Sequence, residues 1–407
     1  MTVHNDVITF ILAGGKGSRL SPLTIDRAKP AVPFGGKYRI IDFTLANCLH
    51  SGLRRILVLT QYKSHSLHKH LRDGWSIFNP ELGEYITPVP AQMRTGNDWY
   101  TGTANAIYQN QYLLERSEAN TSLILSGDHI YRMDYAAMLE SHKQTDAELT
   151  IACMEVPLAE ACAFGTVTIE NDRVIGFTEK PCNPSPLPNK KDMALVSMGI
   201  YIFSTDLLIK ALNDDQADTT SSHDFGHDII PKLIKSNKVY AYQFGSNKGR
   251  VTPDRYWRDV GTIDTFYQAN MDLLKTQPSL NLYQNDWPIR SHVKQSPPAR
   301  TVPGMTGTEG IIINSILANG TVISGGSVQH SILFSNVFVD DGATVQDSIL
   351  FDGVSVGTNA LLRHCIVDKH VVIPAGESIG YDIEKDRSRF TISDEGVVVI
   401  PRGYQFD

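Results

Sequence analysis

Val7-Ile-Thr-Phe-Ile-Leu-Ala-Gly-Gly-Lys-Gly-Ser-Arg-Leu20 decides how the first two thirds of this chain are read. Val7–Leu12 is a short apolar run that stops at Gly14-Gly15, the pattern of a strand buried on both faces of a parallel sheet. Outward from it, helical and extended patterns alternate. Residues 39–49 put Ile40, Ile41, Leu45, Cys48 and Leu49 on one helical face, with Gly52 as the stop. Ile56–Thr60 reads as strand, Ser64–Arg72 as helix, Thr103–Arg116 as helix and Ser122–Leu125 as strand. Asp134–His142 is again helical and Leu149–Val156 extended, and Thr166–Ile169 with Val174–Phe177 forms a hairpin. Leu195–Phe203 and Val239–Phe244 add strands, and Ile263–Leu274 a closing helix. This spacing predicts βαβ units, and so a Rossmann-like α/β domain with a mostly parallel sheet over residues 1–276.

The pattern changes after Thr276. Residues 277–310 hold Pro278, Pro288, Pro297, Pro298 and Pro303 with little periodicity, which predicts a linker. Beyond it a tetrapeptide recurs: Asn314-Ser-Ile-Leu317, His330-Ser-Ile-Leu333, Asp347-Ser-Ile-Leu350 and His364-Cys-Ile-Val367. Apolar residues fall six apart within each turn, as at Ile316, Val322 and Val328, at Val339 and Val345, and at Ile366 and Val372. That beat predicts a parallel β-helix over 311–407, with Gly320, Gly325, Gly342, Gly357 and Gly376 at its corners. An ordinary sandwich would not repeat one tetrapeptide on one period.

Composition narrows the class. The chain has 407 residues, 42% hydrophobic and 20% charged, with a net charge of −7, which excludes a disordered protein. That balance gives no reason to expect a nucleic-acid or anionic-membrane partner. No apolar run approaches the ~18 residues of a membrane span. Met1–Phe10 lacks a charged stretch followed by an apolar one, and the five cysteines are scattered with no C-x-x-C. The expectation is a cytoplasmic enzyme.

The chemistry begins at the loop that leaves the first strand. Gly14, Gly15 and Gly17 let backbone N–H groups approach a polyphosphate, and Lys16, Arg19 and Lys29 surround it with positive charge. No G-K-[ST] closes a Walker loop, and no G-x-G-x-x-G opens a helix. Glycines here also serve as an ordinary tight turn, but three cations interleaved with them favour a phosphate site. Asp128 follows a buried strand at its carboxyl end, where open α/β sheets place ligands. A carboxylate beside a polyphosphate calls for a divalent cation, so Asp128 is a candidate Mg²⁺ ligand and Asp259 the natural second. His65, His68 and His70 have no carboxylate or cysteine beside them in the sequence and read as surface residues.

These residues carry a resemblance. Gly14-Gly15-x-Gly17-x-Arg19-Leu20-x-Pro22-Leu23-Thr24, with Ala28-Lys29-Pro30, is similar to the sugar nucleotidyltransferases. Phe34-Gly-Gly-Lys-Tyr-Arg-Ile-Ile-Asp-Phe43 resembles more narrowly the bacterial glucose-1-phosphate adenylyltransferase family, known as ADP-glucose pyrophosphorylases. So do Pro90-Ala-Gln92, Asn97-Asp-Trp-Tyr100-Thr-Gly-Thr103, Ser126-Gly-Asp-His-Ile-Tyr131 and Phe177-Thr-Glu-Lys-Pro181. Ser197-Met-Gly-Ile-Tyr201, Ser222-His-Asp-Phe-Gly226 and Tyr256-Trp-Arg-Asp-Val-Gly-Thr262 complete the match, which covers nearly the whole chain.

The resemblance implies a left-handed β-helix and a homotetramer. It also implies the reaction ATP plus α-D-glucose 1-phosphate to ADP-glucose plus diphosphate, the first committed step of glycogen biosynthesis. By carry-over, Arg19, Lys29 and Asp128 are catalytic, and Asp128 and Asp259 hold Mg²⁺. Tyr100, Gly165, Glu179, Lys180 and Ser197 take the sugar phosphate, and Gly14, Gly15, Lys16, Gly17 and Gln92 the nucleotide. Regulation by fructose 1,6-bisphosphate and AMP falls to Arg27, Arg39, Arg116, Lys369 and Arg402, with Gln61 and Trp99 communicating to the active site. Here the sequence departs from enteric relatives: Asp26 and Pro33 replace a lysine and a histidine, Lys369 replaces an arginine, and the tail after Arg402 lacks a further one. Weak activation and blunted AMP sensitivity are therefore expected. Alternatives are a sister enzyme using UTP, dTTP or GTP, a catalytically silent regulatory subunit, and an acyltransferase β-helix, against which no long extruded loop carries a catalytic histidine and His330, His364 and His370 sit within the coils.

Overall fold

The computed structural model describes residues 3–94, 98–245, 249 and 255–406; Asn97 of the quoted motif lies outside them. A nine-stranded sheet organises the first part of the chain. Its order is Tyr85–Pro90, Arg55–Thr60, Val7–Ala13, Thr121–Ser126, Met193–Ser204, Leu149–Pro157, Val239–Gln243, Arg173–Thr178 and Thr166–Glu170. The first four are mutually parallel, whereas Met193–Ser204 runs antiparallel to both of its neighbours, so the sheet is mixed from there on. Val7–Ala13 is apolar on both faces because it feeds two cores: Val7, Ile11 and Ala13 pack on one side, Ile8 and Phe10 on the other.

Two helices differ from the sequence reading. The stretch 103–116 is two short helices, Thr103–Tyr108 and Gln111–Arg116. The break has a local cause: Asn110 Nδ2 donates to Ala106 O at 2.8 Å while the Asn110 N–H turns to Ile107 O, so a side chain takes the carbonyl that the helical ladder would use. The second helix runs on to Trp75, because Trp75 and the buried His70 both donate to the carboxylate of Asp42. His70 is therefore a core residue, not a surface one.

The proline-rich stretch is pinned to the domain rather than free. Leu280, Trp287 and Ile289 are buried, and Trp287 Nε1 donates to Asn47 Oδ1 at 3.2 Å. Arg300–Val302 already pairs in parallel with Val322–Ser324, so the first rung begins inside the stretch read as linker.

Three sheets then wind around a common axis, parallel throughout but for the antiparallel pair Thr391–Ile392 with Val398–Ile400. Asn314, His330, Asp347 and His364, the first residues of the repeated tetrapeptide, all have φ between +42° and +51° and turn the chain sharply. The next positions form a buried hydroxyl ladder: Ser331 N donates to Ser315 Oγ at 3.1 Å and Ser348 N to Ser331 Oγ at 3.0 Å. Ile323, Val339, Val356 and Ile373 fill the interior, whereas Val322 is half-buried and Val372 is 65% exposed. The apolar beat through Val322 and Val372 is thus one residue out of step. Each is followed by isoleucine, and a period-2 pattern cannot tell which of two adjacent apolar residues points inward. The β-helix shares a core with the first domain through Phe266, Phe334 and Phe351, and Tyr267 Oη donates to Asp347 O at 2.6 Å. Among the described residues no helix is long and apolar enough to cross a membrane.

Candidate active site

Three confluent cavities open at the carboxyl ends of Val7–Ala13 and Thr121–Ser126, where a doubly wound sheet places ligands. The first, of about 300 Å³, is lined by Gly15, Lys16, Gly17, Arg19, Lys29 and Asp128. Its loop is held from below. Gly17 has φ +63°, a Cβ there would stand 3.2 Å from Lys29 Cβ, and its carbonyl accepts from Thr24 Oγ1 at 2.9 Å. Lys16 is exposed, its ammonium 5.3 Å from the ring centre of Tyr62.

The two candidate metal carboxylates arrive on one ribbon. His129–Tyr131 pairs antiparallel with Trp257–Asp259, and Asp259 lies opposite His129. Lys29 Nζ then bridges them, 2.9 Å from Asp128 Oδ2 and 2.9 Å from Asp259 Oδ1. Ser126 Oγ donates to the other oxygen of Asp128. Burial would raise the Asp128 pKa, but Lys29, His129 and the Ser126 hydrogen bond outweigh it and hold the carboxyl well below the usual range. Burial likewise pulls the Lys29 pKa down, yet the two carboxylates win and raise it. His129 goes the other way: burial lowers its pKa despite both aspartates.

Among the described residues no three histidine, cysteine or carboxylate side chains cluster as a metal cage. Two convergent carboxylates beside a cavity lined by Lys16, Arg19 and Lys29 do fit Mg²⁺, which characteristically takes one or two carboxylates and completes its shell with phosphates and water.

The second cavity, of about 430 Å³, joins the first through Arg19 and gathers Gly165, Glu179, Lys180, Ser197 and Asp259. Glu179 sits between two glycines: a Cβ at Gly165 would stand 2.7 Å from its Oε2, and one at Gly226 2.5 Å. Lys180 has φ +43°, its N–H donates to Phe164 O at 3.1 Å, and its ammonium lies 3.2 Å from Glu179 Oε1. Ser197 is aimed by a register shift in Met193–Ser204, where Gly199, at φ +68°, donates its N–H to Ser197 Oγ at 3.2 Å.

The third cavity, of about 750 Å³, lies between the glycine loop and Gln61, Tyr62, Trp99, Tyr100 and Asp224. Gln61 Oε1 accepts from the Tyr100 N–H at 2.8 Å, and Asn110 Nδ2 donates to the Tyr100 hydroxyl at 2.8 Å. Tyr62 and Trp99 pack with ring centres 5.5 Å apart. Thr103 ties two sides of this cavity together: its hydroxyl donates to Asp224 Oδ2 and accepts from the Phe225 N–H, each at 3.0 Å.

The structure thus brings together most of the residues singled out from the sequence. Tyr100 lines the third cavity rather than the one holding Gly165, Glu179, Lys180 and Ser197. Gln92 is exposed and lines none of the three. Arg27, Arg39 and Lys369 converge at the seam between sheet domain and β-helix, where Arg27 pairs with Asp368 at 2.8 Å and Lys369 with Asp352 at 2.6 Å. Arg402 sits there too, beside His370. Arg116 does not join them within one chain; its helix packs on the opposite core and its guanidinium lies 5.5 Å over Tyr112. His330 and His364 are corner residues bonded to Asp347 and Tyr267. Sequence reasoning gave no role to His129, Tyr201, Trp257, Asp224 or Gly226, although each falls inside a quoted motif. Trp257 is buried in the second cavity, and its indole N–H has no hydrogen-bond partner among the described residues.

Comparison with known proteins agrees with this geometry. Residues 8–276 match a family model described as "Nucleotidyl transferase", and 297–400 one described as "GlmU-like, C-terminal hexapeptide". The chain is 65% identical over 402 residues to "Glucose-1-phosphate adenylyltransferase 2" of Vibrio cholerae, covering 98% of this chain and 99% of that protein. A Vibrio vulnificus protein of the same name is 67% identical over 402 residues, 98% of this chain and 100% of its own length. "Glucose-1-phosphate adenylyltransferase" of Methylobacillus flagellatus is 47% identical over 401 residues, 98% of this chain and 94% of that one. With a cation-flanked glycine loop, paired aspartates and a hexapeptide β-helix all in place, the chain belongs to the nucleotidyl transferase family, among its glucose-1-phosphate adenylyltransferases.

Proposed function

We propose that the chain joins ATP and α-D-glucose 1-phosphate to give ADP-glucose and diphosphate, feeding glycogen synthesis. One observation carries the reading: Arg19 lines both the phosphate cavity and the cavity of Glu179 and Lys180, with Lys29, Asp128 and Asp259 at their junction. The triphosphate lies along the N–H groups of Gly14–Gly17 beside Lys16 and Arg19, and the adenosine enters the third cavity. The sugar phosphate enters the second, where Lys180 meets its phosphate and Glu179 its hydroxyls. A sugar phosphate oxygen then attacks the α-phosphorus in line; the new P–O bond forms as the bond to the bridging oxygen breaks, and diphosphate leaves. A phosphate nucleophile is already ionised near neutral pH, so no general base and no covalent enzyme intermediate are required. Catalysis is positioning and neutralisation of charge, chiefly by Arg19 and Lys29. Mg²⁺, when held by Asp128 and Asp259, supplies further neutralisation at the phosphates.

Fructose 1,6-bisphosphate and AMP would act at the seam of Arg27, Arg39, Lys369 and Arg402, and the assembly would be a homotetramer. Weak activation is expected there, because Asp352 and Asp368 already neutralise Lys369 and Arg27. Diphosphate release with glucose 1-phosphate and each of ATP, UTP, dTTP and GTP tests the substrate reading. ATP should be preferred; equal rates with all four, or none with ATP, would refute it.

A further inference from the structure

Lys29 stands where a divalent cation would have to bind. Its ammonium holds Asp128 Oδ2 and Asp259 Oδ1, each at 2.9 Å, and its side chain is 9% exposed. The two carboxylates are more open to the cavity, at 29% and 26%. The lysine stem cannot withdraw with its backbone. The Ala28 N–H donates to Lys63 O at 3.3 Å and the Val32 N–H to Lys29 O at 3.0 Å, and the stem packs so close to Gly17 that a Cβ there would stand 3.2 Å from Lys29 Cβ. The ammonium can move only by changing rotamer, and the space beside it is the phosphate cavity that Lys29 itself lines.

From this geometry we infer that Lys29 is a lock on the metal site: it occupies one oxygen of each carboxylate a divalent cation needs and yields them only to a cation arriving with a triphosphate. A dication approaching alone must displace an ammonium from two contact partners in a part-buried site, where solvent screens little. Arg19 in the same cavity adds like-charge repulsion. A triphosphate reverses the balance, since it offers Lys29 phosphate oxygens on the cavity side and brings the cation with it. The consequence is order: the cation enters with the nucleotide and not before. Lys29 is then a positioning residue for the metal as well as a phosphate contact.

This inference rests on the placement of Mg²⁺ at Asp128 and Asp259, and the test separates the two. The probe is Mn²⁺, with free ion measured by electron paramagnetic resonance on the full-length enzyme without nucleotide. Wild type should bind Mn²⁺ weakly. Lys29→Met should bind it at least about tenfold more tightly, as removal of one contact charge implies. That gain should vanish in Lys29→Met/Asp128→Asn. No gain in Lys29→Met, with Lys29→Gln behaving alike, overturns the lock while leaving the metal site standing. A gain that survives Asp128→Asn places the cation elsewhere and overturns both. If Lys29→Met fails to fold, Lys29→Gln carries the same test.

Discussion

Replacing Asp42 by asparagine should loosen the joint between the sheet domain and the stretch that leads to the β-helix. Asp42 is fully buried, and its two oxygens accept four hydrogen bonds. Oδ1 takes His70 Nε2 at 2.6 Å and Trp75 Nε1 at 2.8 Å; Oδ2 takes the Arg39 N–H at 2.8 Å and Ser291 Oγ at 2.7 Å. Asparagine turns one of those oxygens into a donor. On the Oδ1 side, His70 can shift its proton to the other ring nitrogen and accept, but the indole N–H of Trp75 cannot. On the Oδ2 side, Ser291 can rotate, but the Arg39 N–H cannot. Either orientation strands one buried donor, which costs about 1–3 kcal/mol, and weakens the surviving charge-assisted bonds by about 1 kcal/mol more. We therefore expect a loss of ~2–4 kcal/mol for Asp42→Asn and a larger one for Asp42→Ala, which removes the acceptor of all four donors and strands both the Trp75 indole and the Arg39 N–H. Urea unfolding monitored by tryptophan fluorescence reads this directly, since Trp75 and Trp287 both lie at the joint. A change below about 0.5 kcal/mol in both variants would refute the reasoning, because it would mean that water or a rearranged partner already satisfies these donors.

Further outcomes follow from the same geometry. Lys180→Gln should raise half-saturation for glucose 1-phosphate and hardly that for ATP; because the side chain is 66% exposed, the factor should be about tenfold rather than a hundredfold. Equal effects on both substrates would count against its placement. His142 is buried against Thr150, and burial lowers its pKa to about 4. The unfolded chain takes up that proton below about pH 6.5 and the folded one does not, so this residue should withdraw up to ~3 kcal/mol of stability between pH 6.5 and 4, with none lost above. His142→Gln should flatten that slope in urea titrations at pH 7 and pH 5; an unchanged slope sinks the assignment. Asp26→Lys, at an exposed position beside Arg27, should lower the fructose 1,6-bisphosphate concentration needed for activation and steepen its salt dependence. Strong activation of the unmodified enzyme that Asp26→Lys leaves unaltered would place the activator elsewhere.

What the sequence disclosed was local. The glycine loop with Lys16 and Arg19, the strand before it and Asp128 after Thr121–Ser126 are each set by neighbours along the chain, and all three lie where a parallel sheet puts them. What it hid depended on residues far away. Lys29 reads as a cation for phosphate, yet its present partners are two aspartates delivered by a ribbon formed much later in the chain. Gly226 carries no signal of its own until Glu179 is seen wedged between it and Gly165. Cations at the seam are visible as letters, but their neutralisation by Asp352 and Asp368 exists only once the β-helix docks. In the β-helix the tetrapeptide announced the rungs, while adjacent apolar pairs such as Val322-Ile323 left the inward residue undetermined.

The most direct test follows the α-phosphate. With ATP labelled at the α-phosphorus, glucose 1-phosphate and Mg²⁺, all label consumed should appear in ADP-glucose and none in diphosphate. Asp128→Asn should slow that transfer far more than it changes half-saturation for glucose 1-phosphate. Label released in diphosphate, or transfer undiminished in Asp128→Asn, would contradict an α-phosphorus reaction centred on Asp128, Asp259 and Lys29.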